Sequence, residues 1–195
     1  MSVLDLMIEH CISLGNYPLP GIEGTSPIKV DLRPLSYDPE KRLEVLEACF
    51  REAPYFDVVL GIRNSGAIWG LPLAHHATQQ SGLSKYFVEI VPEHLKDHLQ
   101  HPDEETPLNR ERIYLLFDNF VTTGFSITKC QEYCRSKRLP EDCVIPFTIF
   151  NYGIVEVNAL VTLDQLLKRA RQTSRLHEGD INQVMHWKAG LTTKE

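Results

Sequence analysis

The stretch Ile113-Tyr-Leu-Leu-Phe-Asp118-Asn119-Phe-Val-Thr122-Thr123-Gly124-Phe125-Ser126-Ile127 decides the fold. An apolar run leads into a hydroxyl-rich turn containing glycine, and the turn opens into a helix, so it reads as strand, anion loop, helix. At such a junction the first N–H groups of the helix and its dipole converge on one point. The hydroxyls of Thr122, Thr123 and Ser126 can donate to the same anion. A monoester phosphate suits that point. Asp118 and Asn119, at the carboxyl end of the strand, then sit about 5–10 Å away on strand geometry, close to the separation of a sugar 5′-phosphate from its 2′- and 3′-hydroxyls. A capped helix after a buried strand is the plainer alternative, and the turn by itself does not choose between them.

Outward from this stretch, helical and strand-like segments alternate, the pattern of an α/β fold with a largely parallel sheet. Residues 3–14 read as an amphipathic helix ended by Gly15, and residues 16–36 as turns around a short strand at 28–32. Asp38 is placed to cap a helix over 39–52 whose first residue is Pro39. Strands are predicted at 56–62, 86–91, 113–118, 144–150 and 159–161, and helices at 66–81, 126–138 and 163–173. This makes one domain over residues 1–173 and an irregular tail over 174–195 with Trp187 as its anchor.

The chain of 195 residues is 43% apolar, enough for a full core, and carries a formal net charge of −6. An acidic balance with scattered Lys and Arg argues against a nucleic-acid partner. No apolar run approaches the roughly 20 residues of a membrane span, and Asp5 stands where a signal peptide is basic or apolar. The reading is a cytoplasmic protein without a membrane partner. Cysteines 11, 49, 130, 134 and 143 form no Cys-x-x-Cys pair and read as reduced thiols, with Cys130 and Cys134 packing in a helix. His94, His98 and His101 beside Asp97 could present imidazoles to a metal. The segment from Pro92 to Arg112 is too polar and proline-bracketed for a firm helix, so it reads as a solvated loop and no metal site is assigned.

The strand and loop at Ile113 to Ser126 resemble the phosphoribosyl-diphosphate (PRPP) signature of type I phosphoribosyltransferases: a hydrophobic strand, two acidic residues, then Thr-Thr-Gly-x-Ser/Thr. The resemblance implies that Asp118 and Asn119 contact the ribose hydroxyls. Thr122, Thr123, Gly124, Phe125 and Ser126 hold the 5′-phosphate, Phe125 through its backbone N–H. Asn119 stands where the family has its second carboxylate. A second landmark, Leu60-Gly61-Ile62-Arg63-Asn64-Ser65-Gly66-Ala67, resembles the family's pyrophosphate loop, which assigns Arg63, Asn64, Ser65 and Gly66 to the leaving pyrophosphate. The polar segment 92–112 falls where the family has a mobile lid.

Within the superfamily the chain most resembles orotate phosphoribosyltransferase, from about residue 5 to about residue 170. Leu14-Gly15-Asn16-Tyr17, Thr25-Ser26-Pro27-Ile28-Lys29-Val30-Asp31-Leu32-Arg33, Phe56-Asp57-Val58-Val59 and Leu163-Asp164-Gln165-Leu166-Leu167 keep the family order. Lys96 and His98 align with the lid's later Lys and His, and join Asp118 as the implied catalytic set. The implied fold is a mostly parallel twisted sheet flanked by helices, with a small hood from about 1–36 and 151–173. The implied partners are PRPP or a nucleoside monophosphate, magnesium carried on the substrate, and a second copy of the chain in a homodimer.

The departures bear on the substrate. Pro92 and Glu93 replace the lid's Arg and Lys, Leu99 its Gly, and Leu19-Pro20-Gly21 the Leu-Lys-Ser that serves the base. Asn151-Tyr152 replaces the Asp-Arg whose guanidinium holds the orotate carboxylate. A carboxylate buried without a partner costs several kcal/mol, so orotate is expected to bind poorly. Three readings fit the sequence: a phosphoribosyltransferase acting on a base other than orotate; a non-catalytic binder of PRPP or a nucleotide; and an orotate enzyme in which Lys29 or Lys85 supplies the missing charge.

Overall fold

The computed structural model describes residues 2–63, 65–90 and 108–192. Helix α1 (Val3–His10) starts at Ser2, whose hydroxyl accepts the Asp5 N–H, and gives way to a hairpin of β1 (Ile12–Tyr17) and β2 (Ser26–Val30). The helix predicted over 3–14 therefore stops early. Ile12 and Leu14 continue its apolar spacing, but pairing with Val30 and Ile28 takes them into an antiparallel strand, a tertiary contact overriding a local preference. A short helix the sequence did not announce, α2 (Arg33–Tyr37), precedes α3 (Pro39–Glu52), which begins as predicted: Asp38 accepts the N–H groups of Glu40 and Lys41.

Strands and helices then alternate as β3 (Val58–Ile62), α4 (Ser65–Ser81), β4 (Tyr86–Ile90), β5 (Tyr114–Val121), α5 (Phe125–Ser136), β6 (Val144–Asn151), β7 (Asn158–Thr162) and α6 (Leu163–Gln172). The tail is not irregular: it forms α7 (Glu178–Thr192). Ile181 and Val184 are buried and Trp187 packs beside them, a stripe of about one residue per turn that is too narrow to stand out as amphipathic.

β3 to β7 form one parallel sheet in the order β4-β3-β5-β6-β7. All five residues of Val58-Val-Leu-Gly-Ile62 are buried, which requires cover on both faces. Leu115, Phe117 and Phe147 meet Leu6, Val45, Leu73 and Leu166 on one side, and Leu60 and Leu116 meet Ile127, Cys130 and Cys134 of α5 on the other. Arg169 Nε donates to Asp5 Oδ1 at 2.7 Å, joining α6 to α1, and with the Ser2 hydroxyl holds the Asp5 carboxyl at about 2. Parallel strands bring all their carboxyl ends to one edge, the usual ligand edge of such sheets. The loops after β3 and β5 are neighbours there, because Gly61 pairs with Phe117.

Candidate active site

β5 runs three residues past its predicted end, so Asp118 and Asn119 lie within the strand, and Thr122-Thr123-Gly124 is the whole turn before α5. Gly124 caps the helix at φ 75°, a left-handed conformation that favours glycine. No side chain caps α5, so its first-turn N–H groups open onto the turn. A Cβ on Gly124 would stand 3.0 Å from Val155, which shows how closely the β6–β7 connection leans on this loop. The hydroxyls of Thr123 and Ser126, both half-buried, have no hydrogen-bond partner among the described residues. That of Thr122 is committed: it donates to the Pro20 carbonyl at 3.0 Å. At Gly21, with φ 76°, a Cβ would lie 2.7 Å from Thr123 Oγ1, so the Pro20-Gly21 segment rests directly on the loop.

Asp118 is 8% exposed and accepts the Asn119 N–H at 2.8 Å. Two residues beyond Leu116 on β5, Asp118 shares the strand face that packs on α5, and burial, then the neighbouring Cys134 and Asp118, push the Cys130 thiol up to about 12, which makes it an unreactive packing residue. Asn119 Oδ1 accepts the Phe120 N–H at 2.8 Å, leaving Nδ2 without an acceptor among the described residues. Arg63 is exposed and its N–H donates to Ile90 O at 2.7 Å, pinning the loop after β3 to the end of β4. Gly66 explains itself sterically. A Cβ there would sit 2.6 Å from Phe117 O and 3.4 Å from Asp118 Cα, so only glycine lets α4 start against β5. The two anion loops are thereby held side by side. Ser65 begins α4. Asn64, Lys96 and His98 lie outside the described residues, as do Pro92, Glu93, His94, Asp97, Leu99 and His101.

Beside the loops, between the hairpin and the sheet edge, lies a cavity of about 360 Å³. Pro18, Leu19, Val30, Ile68, Trp69, Phe120 and Tyr152 make its walls largely apolar, with Asn119, Lys29, Asp31 and Arg33 as polar lining. Asn151 and Tyr152 serve the scaffold. Asn151 Nδ2 donates to Val155 O and Val157 O and its Oδ1 accepts the Gly153 N–H, while the Tyr152 hydroxyl, 1% exposed as a residue, accepts the Val30 N–H at 3.1 Å. The Tyr152 ring meets Phe150 and Trp187 edge-on, so α7 supports this wall. Of the two lysines considered as replacement cations, Lys29 lines the cavity and Lys85 does not. Lys85 is at the opposite edge of the sheet, where its ammonium donates to Phe56 O at 2.6 Å and lies 4.2 Å from the Tyr55 ring centroid.

No family model and no curated protein sequence matches the chain. Solved structures do. The UMP synthase of Leishmania donovani superposes with a TM-score of 0.69 over 96% of this chain at 20% identity; the chain spans 42% of that protein's length. The orotate phosphoribosyltransferase of Aeropyrum pernix superposes at 0.64, with 18% identity over 87% of this chain and 98% of that one. The Giardia lamblia adenine phosphoribosyltransferase in complex with 9-deazaadenine superposes at 0.60, with 17% identity over 83% of this chain and 98% of that one. The fold is that of the type I phosphoribosyltransferases.

In this phosphoribosyltransferase fold the cavity walls Trp69 and Phe120 are residues that sequence reasoning missed, whereas Tyr152 stands at a position the sequence already marks as replacing a base contact. Trp69 follows Gly66 by one helical turn and Phe120 follows Asn119 directly, so proximity to the two anion loops was the available signal. Nothing in the sequence announced that Thr122 would be tied to Pro20.

Proposed function

We propose that the protein binds PRPP or a nucleoside 5′-monophosphate at the carboxyl edge of the sheet and transfers the phosphoribosyl group between pyrophosphate and a nucleobase other than orotate. One observation carries the reading: the uncommitted hydroxyls of Thr123 and Ser126 stand at an uncapped helix start, and the strand entering that turn presents Asn119 to a largely apolar cavity. Phosphate, ribose and base thus have three adjoining places. Orotate- and adenine-specific enzymes share the fold, so the fold leaves the base open.

In the transfer, the C1′–O bond to pyrophosphate breaks and a C1′–N bond to the base forms, through a ribose with oxocarbenium character. The Asp118 charge favours that cation. Arg63 and the N–H groups around Gly66 take the pyrophosphate, the guanidinium as a two-pronged donor. Lys96 and His98 are the residues the resemblance assigns to the leaving group, and magnesium would be carried on the substrate's own oxygens and waters. Orotate is disfavoured because the buried Tyr152, whose hydroxyl accepts the Val30 N–H, offers a neutral group where a guanidinium charge would be needed. A binding role without turnover is the second reading, favoured by the amide at Asn119.

Calorimetric titration with PRPP and magnesium tests the phosphate site. Each lost charge-assisted hydrogen bond costs about 1.5–3 kcal/mol, so Thr123→Ala with Ser126→Ala should weaken binding more than tenfold while the protein stays folded. Equal affinity in wild type and the double variant would sink the phosphate site. Pyrophosphorolysis of orotidine monophosphate at about 1 per second or faster would overturn the choice of base.

A further inference from the structure

We propose that the free edge of β7 and the acidic face of α3 beside it dock an extended, basic segment of a partner protein, which pairs with β7 as a sixth strand. The inference is independent of the nucleotide site at the carboxyl edge. β7 ends the strand order and pairs with β6 alone. The Thr162 N–H goes to Gln165 Oε1 at 2.8 Å, and residues 158–161 have no backbone partner other than β6 among the described residues. The outward N–H and C=O groups of such a strand are a template for another chain, and edge strands are ordinarily guarded by charges, prolines or a covering element. β4, at the other side of the sheet, is guarded by the exposed Glu89 and by the Arg112 guanidinium 4.5 Å from the Tyr86 ring centroid. β7 is not. Asn158-Ala-Leu-Val-Thr162 holds neither a charge nor a proline, and it borders an open groove of about 800 Å³ between α1, α3 and the sheet edge.

Charge complementarity selects the occupant. Glu44, Glu47 and Glu52 line the α3 side of the groove, and Arg51 is the one cation among the described residues that line it. Arg51 Nε lies 3.2 Å from Glu52 Oε1, so the wall is net negative even with that pair formed. Residues 44, 47 and 51 recur at helical spacing and present this charge as one face. Side chains alternate across an added strand, so a segment with Lys or Arg at every second position sets its cations against α3 while its main chain pairs with β7. The main-chain bonds supply affinity and the acidic wall supplies selectivity, the division of labour of strand-addition complexes. A second copy of this chain fits poorly, because its β7 brings no cation and carries the same acidic wall.

Three end-capped heptapeptides test the groove by fluorescence anisotropy on the full chain: one alternating lysine and valine, the same with glutamate for lysine, and the lysine peptide with every amide N-methylated. The lysine peptide should bind wild type about tenfold or more tighter than either of the others, and in amide hydrogen exchange it should protect β7 and leave the turn at 122–124 unprotected. Glu47→Lys with Glu52→Lys, both at exposed positions, should weaken the lysine peptide by about tenfold and strengthen the glutamate peptide. If that variant melts early, Glu47→Gln with Glu52→Gln replaces it and should give a smaller loss in the same direction. Equal binding of the lysine and glutamate peptides would overturn the acidic wall's role, and undiminished binding of the N-methylated peptide would overturn strand addition. Absence of lysine-peptide binding, or protection confined to elements other than β7, would overturn the site. Self-association of the protein with β7 protected in the absence of peptide would assign the edge to a second copy and overturn the heterologous partner.

Discussion

At the amino edge of the sheet, Asp57 accepts the Ile113 N–H at 2.9 Å and the Tyr55 hydroxyl at 2.7 Å, while Lys85, with a side chain 4% exposed, donates to Phe56 O at 2.6 Å. At the carboxyl edge, the hydroxyls of Thr123 and Ser126 have no hydrogen-bond partner among the described residues, and the first turn of α5 lacks a side-chain cap. Asp57 and Lys85 are thus spent on the scaffold at one end of the sheet, while the two loop hydroxyls at the other are not. Thr123 and Ser126 are half-buried and within reach of solvent, so these two hydroxyls at a sheet's ligand edge are available to something that binds. Substitutions at the amino edge should therefore change stability and leave ligand affinity and turnover alone, whereas those at the carboxyl edge should change affinity or turnover.

Asn119 offers the largest separation of the two. If the amide is what weakens transfer, Asn119→Asp restores a negative charge beside the developing ribose cation with little change in volume. The carboxylate can still accept the Phe120 N–H that Asn119 Oδ1 accepts at 2.8 Å. Groups so placed are worth about 2.7–4 kcal/mol in comparable transition states, or 10²–10³ in rate. Steady-state assays of PRPP turnover with a panel of bases should show that gain while calorimetric PRPP affinity scarcely moves. A wild type that turns over briskly and is slowed by the substitution would mean the amide is a tuned part of an active site. Binding by both forms without turnover by either would favour the binding role.

Asp57 probes the opposite edge. Burial raises its pKa, but the Ile113 N–H, the Tyr55 hydroxyl and the charges of Lys85 and Arg112 outweigh that, leaving it below the ordinary 3.8. A depressed folded-state pKa stabilises the protein fully above the ordinary carboxylate range, and the contribution is lost as pH falls through the lower folded value. Asp57→Ala leaves the buried Lys85 ammonium with Phe56 O and the rings of Tyr55 and Phe56 but no counter-charge, a loss of about 3 kcal/mol, at the low end for a stranded buried charge. Denaturant melts should show this deficit at neutral pH and a narrowing gap to wild type below about pH 4. PRPP affinity should be unchanged; a parallel loss of affinity would break the contrast between the edges.

What the sequence revealed and what it hid follow from the range of the interactions. The strand and turn through Thr122-Thr123-Gly124 and the start of α3 at Asp38-Pro39 were legible because a strand's apolar run, a cap and a proline act within a few residues. β1 is hidden in the sequence because Ile12 and Leu14 suit a helix locally and a strand only once β2 is beside them. The cavity wall was invisible for the same reason. Tyr152 meets Val30 across 122 positions, and α7 matters through Trp187 packing on that tyrosine. Lys85 looked like a spare cation until Phe56 and Tyr55, some 30 residues earlier, were seen to enclose it. Chemistry carried by backbone and local turn was readable; chemistry carried by which distant side chains are already engaged was not.

Thr122 sits on the boundary between the two behaviours, a loop hydroxyl at the ligand edge that is nonetheless satisfied by Pro20 O at 3.0 Å. Thr122→Val keeps the shape and removes the donor. If the hydroxyl stays with Pro20 when phosphate binds, the variant loses one ordinary hydrogen bond, about 1 kcal/mol, and PRPP affinity holds. In thermal melts that is a drop of about 2–4 °C for a chain of this size. If instead the bond to Pro20 is exchanged for one to the phosphate, affinity falls as it does for Thr123→Ala alone, and the Pro20-Gly21 segment must lift from the loop during binding. The first outcome is expected, because Gly21 packs against Thr123 with no room for a Cβ, a contact that fixes the segment independently of the hydroxyl. Gly21→Ala separates the cases further: with φ at 76° and a Cβ 2.7 Å from Thr123 Oγ1, it should push the segment off the loop and weaken PRPP binding even where Thr122→Val does not.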